Sequence, residues 1–358
     1  MTAWANCKNI LVIRADNMGD LLMSSPAINA LKRTFDSKIV LLTSKATKVV
    51  DLLPFIDEVV TVDLPWVKSD VESGASKIND LAWRLKQYEF DACVIFTVYS
   101  QSPLPAAMLA WMAGIPKRLA YCRENPYELI NYWIPEKEPL ELIKHQVERD
   151  LNLVERIGAV IQDKRIQLKI SQENREVVKQ KLIDQKIDIK AKTLILHAGV
   201  SEEKRAFPEK KWVELAQLLQ NSLKCQILFT GSTEERELTD RLQKQVGGAA
   251  FSLAGEFTVS EYAALIAMVS LVISVNTATI HLAAALQTPQ VVLYAQTNPQ
   301  HHPWLAKCRI FEFSIPEKNK SKNEIIRYVD KYHYTNYIPL PTTEEIVDAV
   351  KELLLLTS

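Results

Sequence analysis

Residues 8–35 constrain what this chain can fold into more than any other stretch. A short apolar run, Ile10 to Ile13, opens it, of the length expected for a strand buried on both faces. A polar turn, Arg14 to Asp20, follows. Then Leu21, Leu22, Pro26, Ile28, Leu31 and Phe35 recur at helical spacing. Strand, polar loop and helix in that order make the first half of a βαβ unit. Such folds bind ligands at the C-terminal ends of their strands. Arg14, Asp16 and Asp20 all lie in that loop, which makes it a candidate site as well as a connection.

The alternation continues through the chain. Strands are expected at residues 38–42, 59–62, 92–98 and, at a sheet edge, 117–121. Helices are expected at 47–53, 76–88, 104–113 and 145–157, with Gly114 and Gly158 just past the ends of two of them. Residues 162–192 are charged and lysine-rich, contain one helical pattern at 172–183, and read as the region between domains. Strands then follow at 193–197, 226–230, 271–275 and 291–294, and helices at 212–219, 234–245, 260–268, 279–286 and 342–355. The last helix has Thr342 or Thr343 as its cap and Glu344 or Glu345 close behind. The pattern is lost between residues 311 and 337, which read as a surface excursion with a short helix and a tyrosine-rich stretch at 328–337. Two α/β units of similar size result, without a sequence repeat between them.

A chain of 358 residues is long enough for two cores. Lys plus Arg number 43, as do Asp plus Glu, so nothing in the charge favours bulk nucleic-acid binding. Cys7, Cys93, Cys122, Cys225 and Cys308 form no C-x-x-C pair, which argues against a disulfide framework or a zinc site. No apolar run approaches the length of a membrane span, and the first apolar run is interrupted by Arg14 and Asp16, unlike a signal peptide. A cytoplasmic protein is expected.

The glycine fingerprints of dinucleotide and P-loop sites are absent, as are the G-x-S-x-G elbow and H-E-x-x-H. The informative stretch of the second half is 273–289. A buried strand ends at Val275, Asn276 or Thr277 can cap the next helix, and that helix begins near Ala278. Backbone N–H groups at such a start bind anions, helped by the helix dipole. His281 lies in the first turn or just beyond, so a phosphate there would meet amides, the Thr277 hydroxyl and an imidazole. The plainer alternative is simple capping, with His281 on the surface. Two further loops follow strands of the same unit. One has Gly199 for a turn, with Lys204 and Arg205 as cationic donors, and the other begins at Gly231 and contains Glu235. Three polar loops on one edge of a parallel sheet, with Asp16 and Asp20 from another α/β unit, point to a ligand cleft between domains.

The ordered motifs resemble glycosyltransferase family 9, the ADP-heptose-dependent heptosyltransferases of lipopolysaccharide core assembly. They run from Ile10-Leu-Val-Ile-Arg-Ala-Asp-Asn-Met-Gly-Asp-Leu-Leu with Pro26-Ala27 to His197-Ala-Gly-Val-Ser, Phe207-Pro208 and Phe229-Thr-Gly-Ser-Thr-Glu-Glu-Arg. Leu253-Ala-Gly, Ser274-Val-Asn-Thr, His281-Leu-Ala-Ala-Ala-Leu, Thr288-Pro, Tyr294 and Thr297-Asn-Pro complete the set. The resemblance implies a GT-B architecture: Rossmann-like domains at residues 1–165 and 166–341 with a cleft between them, and a terminal helix, 342–358, packing back on the first. It implies an inverting transfer that needs neither metal nor cofactor, from a nucleotide-sugar donor to a glycan acceptor, with possible peripheral contact at the inner face of the inner membrane. The family's aspartate falls on Asp20, as general base, with Arg14, Asp16, Asn17 and Gly19 in support. Donor contacts fall on Asn276, Thr277, Ala278, His281, Gly199, Gly231, on Glu235 near the ribose, and on Lys204 or Arg205. Lys117, Arg118 and Arg123 either meet an anionic acceptor or form a solvated basic loop. The family's usual Asp-Ser/Thr-Gly is here Asn276-Thr277-Ala278, which leaves room for another donor or acceptor, or for a protein that binds a sugar nucleotide without turning it over.

Overall fold

In the computed structural model the described residues are 3–67 and 74–356. They form two compact units: Met1–Gln167 with Asn323–Val329, and Leu168–Lys322 with Asp330–Ser358.

The first unit runs β1 (Asn9–Ile13), α1 (Met18–Phe35), β2 (Lys38–Thr43), β3 (Glu58–Thr61), α2 (Ala75–Lys86), β4 (Ala92–Ile95), α3 (Leu104–Met112), β5 (Arg118–Cys122), β6 (Tyr132–Pro135) and α4 (Gln146–Glu155). Its strands are all parallel, in the order β3-β2-β1-β4-β5-β6. The apolar run of β1 lies between Ile39–Leu42 and Ala92–Ile95, with helices over both faces, which is why it carries no alternating polar residues. The strand order reverses between β1 and β4. Connections leave the sheet in opposite senses there, and a crevice opens at the carboxyl ends of those two strands.

α1 packs against α4. Pro26 inside α1 has no N–H to offer the carbonyl of Leu22. The Ser25 hydroxyl donates to that carbonyl instead, at 2.7 Å, so the helix that carries Asp20 stays continuous. Gly114 and Gly158 follow α3 and α4 at φ of 75° and 90°, a left-handed backbone that an L side chain resists.

The second unit runs α5 (Gln172–Asp184), β7 (Thr193–His197), α6 (Glu209–Leu223), β8 (Gln226–Phe229), α7 (Arg236–Val246), β9 (Ala250–Ser252), α8 (Val259–Ile266), β10 (Leu271–Val275), α9 (Ala278–Ala285), β11 (Gln290–Ala295), β12 (Cys308–Phe313), α10 (Glu324–Tyr332) and α11 (Thr343–Leu355). The start of α10, up to Val329, groups with the first unit. The strand order β12-β11-β10-β7-β8-β9 repeats the topology of the first sheet, with its reversal between β7 and β10.

Several elements differ from the sequence expectation. β5 is not an edge strand, because β6 pairs outside it. β12 forms the edge of the second sheet within the stretch where periodicity was lost, since charged Arg309 and Glu312 alternate with its half-buried apolar residues. Residues 45–52 form a 3₁₀ helix. The terminal helix α11 packs within the second unit. Thr342 caps it, its hydroxyl accepting from Glu345 N–H at 3.2 Å, and Ile346, Val350 and Leu353 turn into the core of the second unit against α6 and β11.

Ile346 is fully buried in that core. Ile346→Ala is therefore expected to destabilise the second unit by about 2–4 kcal/mol. Hydrogen exchange monitored by mass spectrometry should show protection lost from β7–β12 and kept in β1–β6; loss confined to the first sheet would contradict this packing.

Candidate functional site

At the first strand-order reversal the chain leaves β1 through Arg14 and enters α1 at Met18. Asn17 precedes the helix in an extended conformation, Gly19 lies in its first turn, and Asp20 is its third residue. The Asp20 carboxylate reaches back, accepting from the Asn17 backbone N–H through Oδ2 at 3.2 Å. Its Oδ1 lies 3.4 Å from Nη2 of Arg14. Helix capping and a site role are thus combined in one side chain that is 8% exposed. Arg14 is fully buried, and its Nη1 lies 3.3 Å from Oδ2 of Asp16. None of its three side-chain nitrogens makes a well-directed hydrogen bond, so the guanidinium acts on its neighbours by charge. Asp16 accepts from Nε2 of Gln101 at 2.7 Å, which ties the loop after β4 to the loop after β1 across the reversal. Burial pushes the Asp16 carboxyl upward in pKa, and the charge of Asp20 adds to that, while Arg14 and Gln101 oppose it.

A third buried carboxylate, from α4, bonds to α1 one turn beyond Asp20. Asp150 is 1% exposed, accepting from Ser24 Oγ at 2.6 Å and from Gln146 Nε2 at 2.9 Å. Burial raises its pKa to about 6, against the opposing pull of Arg14, Ser24, Arg149 and Gln146. The next charge on the helix is separately neutralised. Arg149 Nη1 bonds Glu138 at 2.6 Å and Glu136 at 2.9 Å, and its guanidinium lies over the Tyr121 ring. Asp150 was not anticipated from the sequence. A signal existed: Val147, Leu151 and Val154 define the apolar face of α4, and Asp150 falls on that face at the third position after Val147.

Arg118, expected either at an anionic acceptor or in a solvated loop, is not solvated. It is 6% exposed at the start of β5, and its guanidinium donates to the carbonyls of Ile115, Glu128 and Leu129. Those bonds pin the segment between β5 and β6. Arg123 is likewise spent on the carbonyls of Tyr99 and Glu138.

In the second unit, the loops after β7, β8 and β10 meet at the other reversal. A Cβ added to Gly199 would lie 2.0 Å from Glu235 Oε1, and one added to Gly231 would lie 2.7 Å from Oε2. The Glu235 carboxylate therefore rests directly on two bare stretches of backbone, and it accepts from Ser232 N–H at 2.6 Å. Beneath it, His197 Nδ1 lies 3.1 Å from Thr230 Oγ1, and the Tyr262 hydroxyl contacts His197, Thr230 and Thr279 at 3.1–3.3 Å. Burial lowers the His197 pKa, partly opposed by Glu235, so the imidazole is neutral near pH 7. This polar chain also went unnoticed in the sequence, where only the glycines of these loops stand out.

Asn276 closes the end of β10. Its Nδ2 donates to Thr297 Oγ1 at 3.0 Å and to Ala295 O at 3.3 Å, and its Oδ1 accepts from Ala295 N–H. Thr277 is the N-cap of α9 and Ala278 its first residue. His281 is 4% exposed and edge-on to His301, so it is a core residue of the first turns of α9 rather than a surface one. Arg205 Nη1 donates to the Asn276 carbonyl at 3.3 Å, whereas Lys204 is held by Glu202 at 2.7 Å. Of the two cations, Arg205 is the one drawn to the start of α9. A helix N-terminus with a guanidinium beside it is suited to a phosphate or diphosphate.

The model of glycosyltransferase family 9 (heptosyltransferase) matches residues 78–333, more than half of the chain. The lipopolysaccharide heptosyltransferase 2 of Salmonella typhimurium is 23% identical over 346 residues, which is 90% of this chain and 89% of the relative. Among solved structures, a family 9 glycosyltransferase from Veillonella parvula superposes with a TM-score of 0.80 at 18% identity, covering 99% of both chains. An Escherichia coli ADP-heptose lipopolysaccharide heptosyltransferase II superposes with a TM-score of 0.74 at 20% identity, covering 98% of this chain and 99% of that one. The two Rossmann-type units seen here are thus the GT-B pair implied by the motifs. Asp20 precedes the matched residues, so its candidacy rests on its own motif and geometry.

The raised pKa of Asp150 carries a stability consequence. Between the ordinary carboxyl value of 3.8 and about 6 the folded protein binds a proton that the unfolded chain has released. Stability therefore falls as pH rises through that window, and the penalty is complete above it. Asp150→Asn should raise stability by up to about 3 kcal/mol at neutral pH, with the gain vanishing below about pH 4. Denaturant midpoints of both proteins measured across that range check the sign.

Proposed function

Because the chain belongs to glycosyltransferase family 9, we propose that it transfers a heptose from ADP-heptose to a hydroxyl of a cell-envelope glycan of the lipopolysaccharide-core kind. The transfer inverts the anomeric centre, and Asp20 is the general base. The observation that supports this most is the Asp20 carboxylate itself. It stands at the carboxyl end of the central strand β1, anchored by the Asn17 N–H, next to a buried guanidinium that makes no directed bond to it. The acceptor hydroxyl loses its proton to Asp20 as its oxygen bonds the anomeric carbon, and ADP leaves from the opposite face with the bonding pair. A fixed carboxylate suits this, since the proton becomes acidic only as the new bond forms.

On the donor side, the N-terminus of α9 and Arg205 receive the charge that grows on the departing diphosphate. Glu235, half-buried over its two glycine backbones, is placed to accept from ribose hydroxyls. The reading calls for no metal, because backbone dipoles and a guanidinium supply the positive field. A nucleotide-sugar donor fits a cytoplasmic enzyme working at the inner face of the membrane that carries its acceptor. Among the described residues no helix is long and apolar enough to cross a membrane.

One observation favours a variant of this reading with a different donor sugar. The amide of Asn276 donates to Thr297 and to the Ala295 carbonyl, which the family's usual aspartate cannot do. Thermal shift against a panel of ADP- and UDP-sugars separates the two, since the true donor stabilises most. Release of ADP from ADP-heptose with a lipid-core acceptor excludes a protein that merely binds the donor.

Asp20→Ala is expected to lower transfer by about 10³-fold while leaving the thermal shift given by ADP intact. Full transfer by that variant would end the assignment. Arg205→Ala should lower kcat/KM by about 10²-fold and Lys204→Ala by less than about threefold, as read from ADP release at varied donor concentration.

A further inference from the structure

We propose that Tyr262 is a positioning residue for the nucleotide diphosphate: its hydroxyl ties the first turn of α9 to the ends of β7 and β8, and so fixes the spacing between the groups that receive phosphate and those that receive ribose. This rests on the reading of the α9 start, Arg205 and Glu235 as donor-binding groups.

The sheet sets that spacing only as far as its ladders run. Pairing of β7 with β10 ends at His197 opposite Ser274, and pairing of β7 with β8 ends at Leu196 opposite Phe229. The groups assigned to the donor lie beyond those ends. Gly199 comes shortly after His197, Gly231 directly follows Thr230, and the Glu235 carboxylate rests on the bare backbone of both glycines. α9 starts at Ala278, past the last paired residue of β10.

Tyr262 reaches this gap from α8. Its hydroxyl lies 3.3 Å from Thr279 Oγ1 in the first turn of α9, 3.1 Å from Thr230 Oγ1 and 3.3 Å from His197 Nδ1. His197 Nδ1 and Thr230 Oγ1 are themselves 3.1 Å apart. One oxygen thus joins a helix start to two strand ends, and those strand ends are where the two glycine loops depart. A hydroxyl suits the junction, because it donates one proton and accepts others.

Packing alone does not account for that oxygen. The other buried residues of α8 beyond Glu261 are Ala263, Ala264, Leu265 and Ile266, and a phenyl ring at 262 would fill the same space. Thr230 and Thr279 are 1% and 3% exposed, so their hydroxyls need partners from within the protein. Thr279 is the second residue of α9, and its backbone N–H is by position one of the amides without an intrahelical acceptor. Holding its side chain therefore aims part of the anion receptor. Two contacts on one ligand reinforce each other when their spacing is fixed beforehand, and slack between them appears as lost affinity.

The test is calorimetric titration of the full chain with ADP and with adenosine, beside the thermal midpoint of the free protein. Tyr262→Phe keeps the ring and removes the oxygen. It should bind ADP about tenfold more weakly and adenosine within about twofold of wild type, since adenosine uses the Glu235 side alone. In the ADP-release assay donor KM should rise by more than kcat falls. Thr279→Val keeps the shape without the hydroxyl and should repeat the loss, while Thr279→Ser should restore binding. The two losses should not add in the double variant, because both break the same bond. A hydroxyl that only supports the fold would lower the thermal midpoint and leave the affinity for ADP unchanged. That result, or equal losses for ADP and adenosine, overturns the proposal. Arg205→Ala and Glu235→Gln keep the claims apart. If wild type binds no ADP, or neither variant weakens it, the donor reading is wrong and the role of Tyr262 falls with it. If both weaken ADP while Tyr262→Phe and Thr279→Val do not, only the role of Tyr262 is wrong.

Discussion

A guanidinium buried at the carboxyl end of β1 has to be neutralised where it stands, and much of the first unit follows from that. Moving an isolated charge out of water is prohibitive unless partners travel with it. Arg14 is fully buried, so Asp16 and Asp20 gather round it, while Asp150 from α4 is buried against Ser24 of α1. Each recruit brings its own requirements. Asp150 needs Ser24 and Gln146, and Asp16 needs Gln101. The face on which α1 meets α4 is in this way a polar core inside an α/β sandwich. Buried ion pairs add little net stability over a well-packed apolar substitute. What they supply here is a fixed position and a controlled charge for one carboxylate.

The second unit solves the opposite problem with the same topology. A site that receives a diphosphate, as proposed for the second unit, must not collect negative charge. At the reversal between β7 and β10 the polar groups beneath the surface are neutral: an imidazole kept uncharged by burial, two threonine hydroxyls and a phenol. Glu235 is the exception, and it is tethered by the Ser232 N–H over Gly199 and Gly231. The positive field comes from the start of α9 and from Arg205. One fold thus gathers carboxylates round a buried guanidinium at the reversal of one unit, and sets a helix N-terminus beside a guanidinium at the reversal of the other, the difference lying in a handful of loop side chains.

The elements that could be read in advance were those whose burial is symmetrical. β1, β7 and β10 are apolar on both faces, so a run of Ile, Val and Leu announces them. β6 and β12 lie at sheet edges, with one face partly wet, and their mixed residues carry no such mark. β9 is three residues long, too short for any periodicity. The loop residues Asp20, Glu235, Thr277 and Arg205 were visible because motifs place them in sequence next to strand ends. Asp150 and Tyr262 were not, because each reaches its site from the middle of a helix, across a tertiary contact that no local spacing encodes. Arg118 misled for the converse reason. A basic residue between loops reads as solvated, yet three backbone carbonyls claim this one.

The departure at Asn276-Thr277-Ala278 can now be divided into parts with different weight. Ala278 replaces the family's usual glycine at the first residue of α9, and it does not adopt a positive φ. Nothing in that conformation demands a glycine, so the helix start that faces an anion keeps its backbone. Asn276 is a different matter. Its amide nitrogen bonds the Thr297 hydroxyl, which could turn to donate to an aspartate, and the Ala295 carbonyl, an acceptor that would repel an aspartate in the same rotamer. The residue and its partners at the end of β11 therefore form a matched set, and a lone change at 276 leaves a buried acceptor unmet. Under the proposed function the consequence falls on the chemistry of the side chain over β10, where a sugar hydroxyl would meet an amide in place of a carboxylate, while the backbone proposed to receive a diphosphate is untouched.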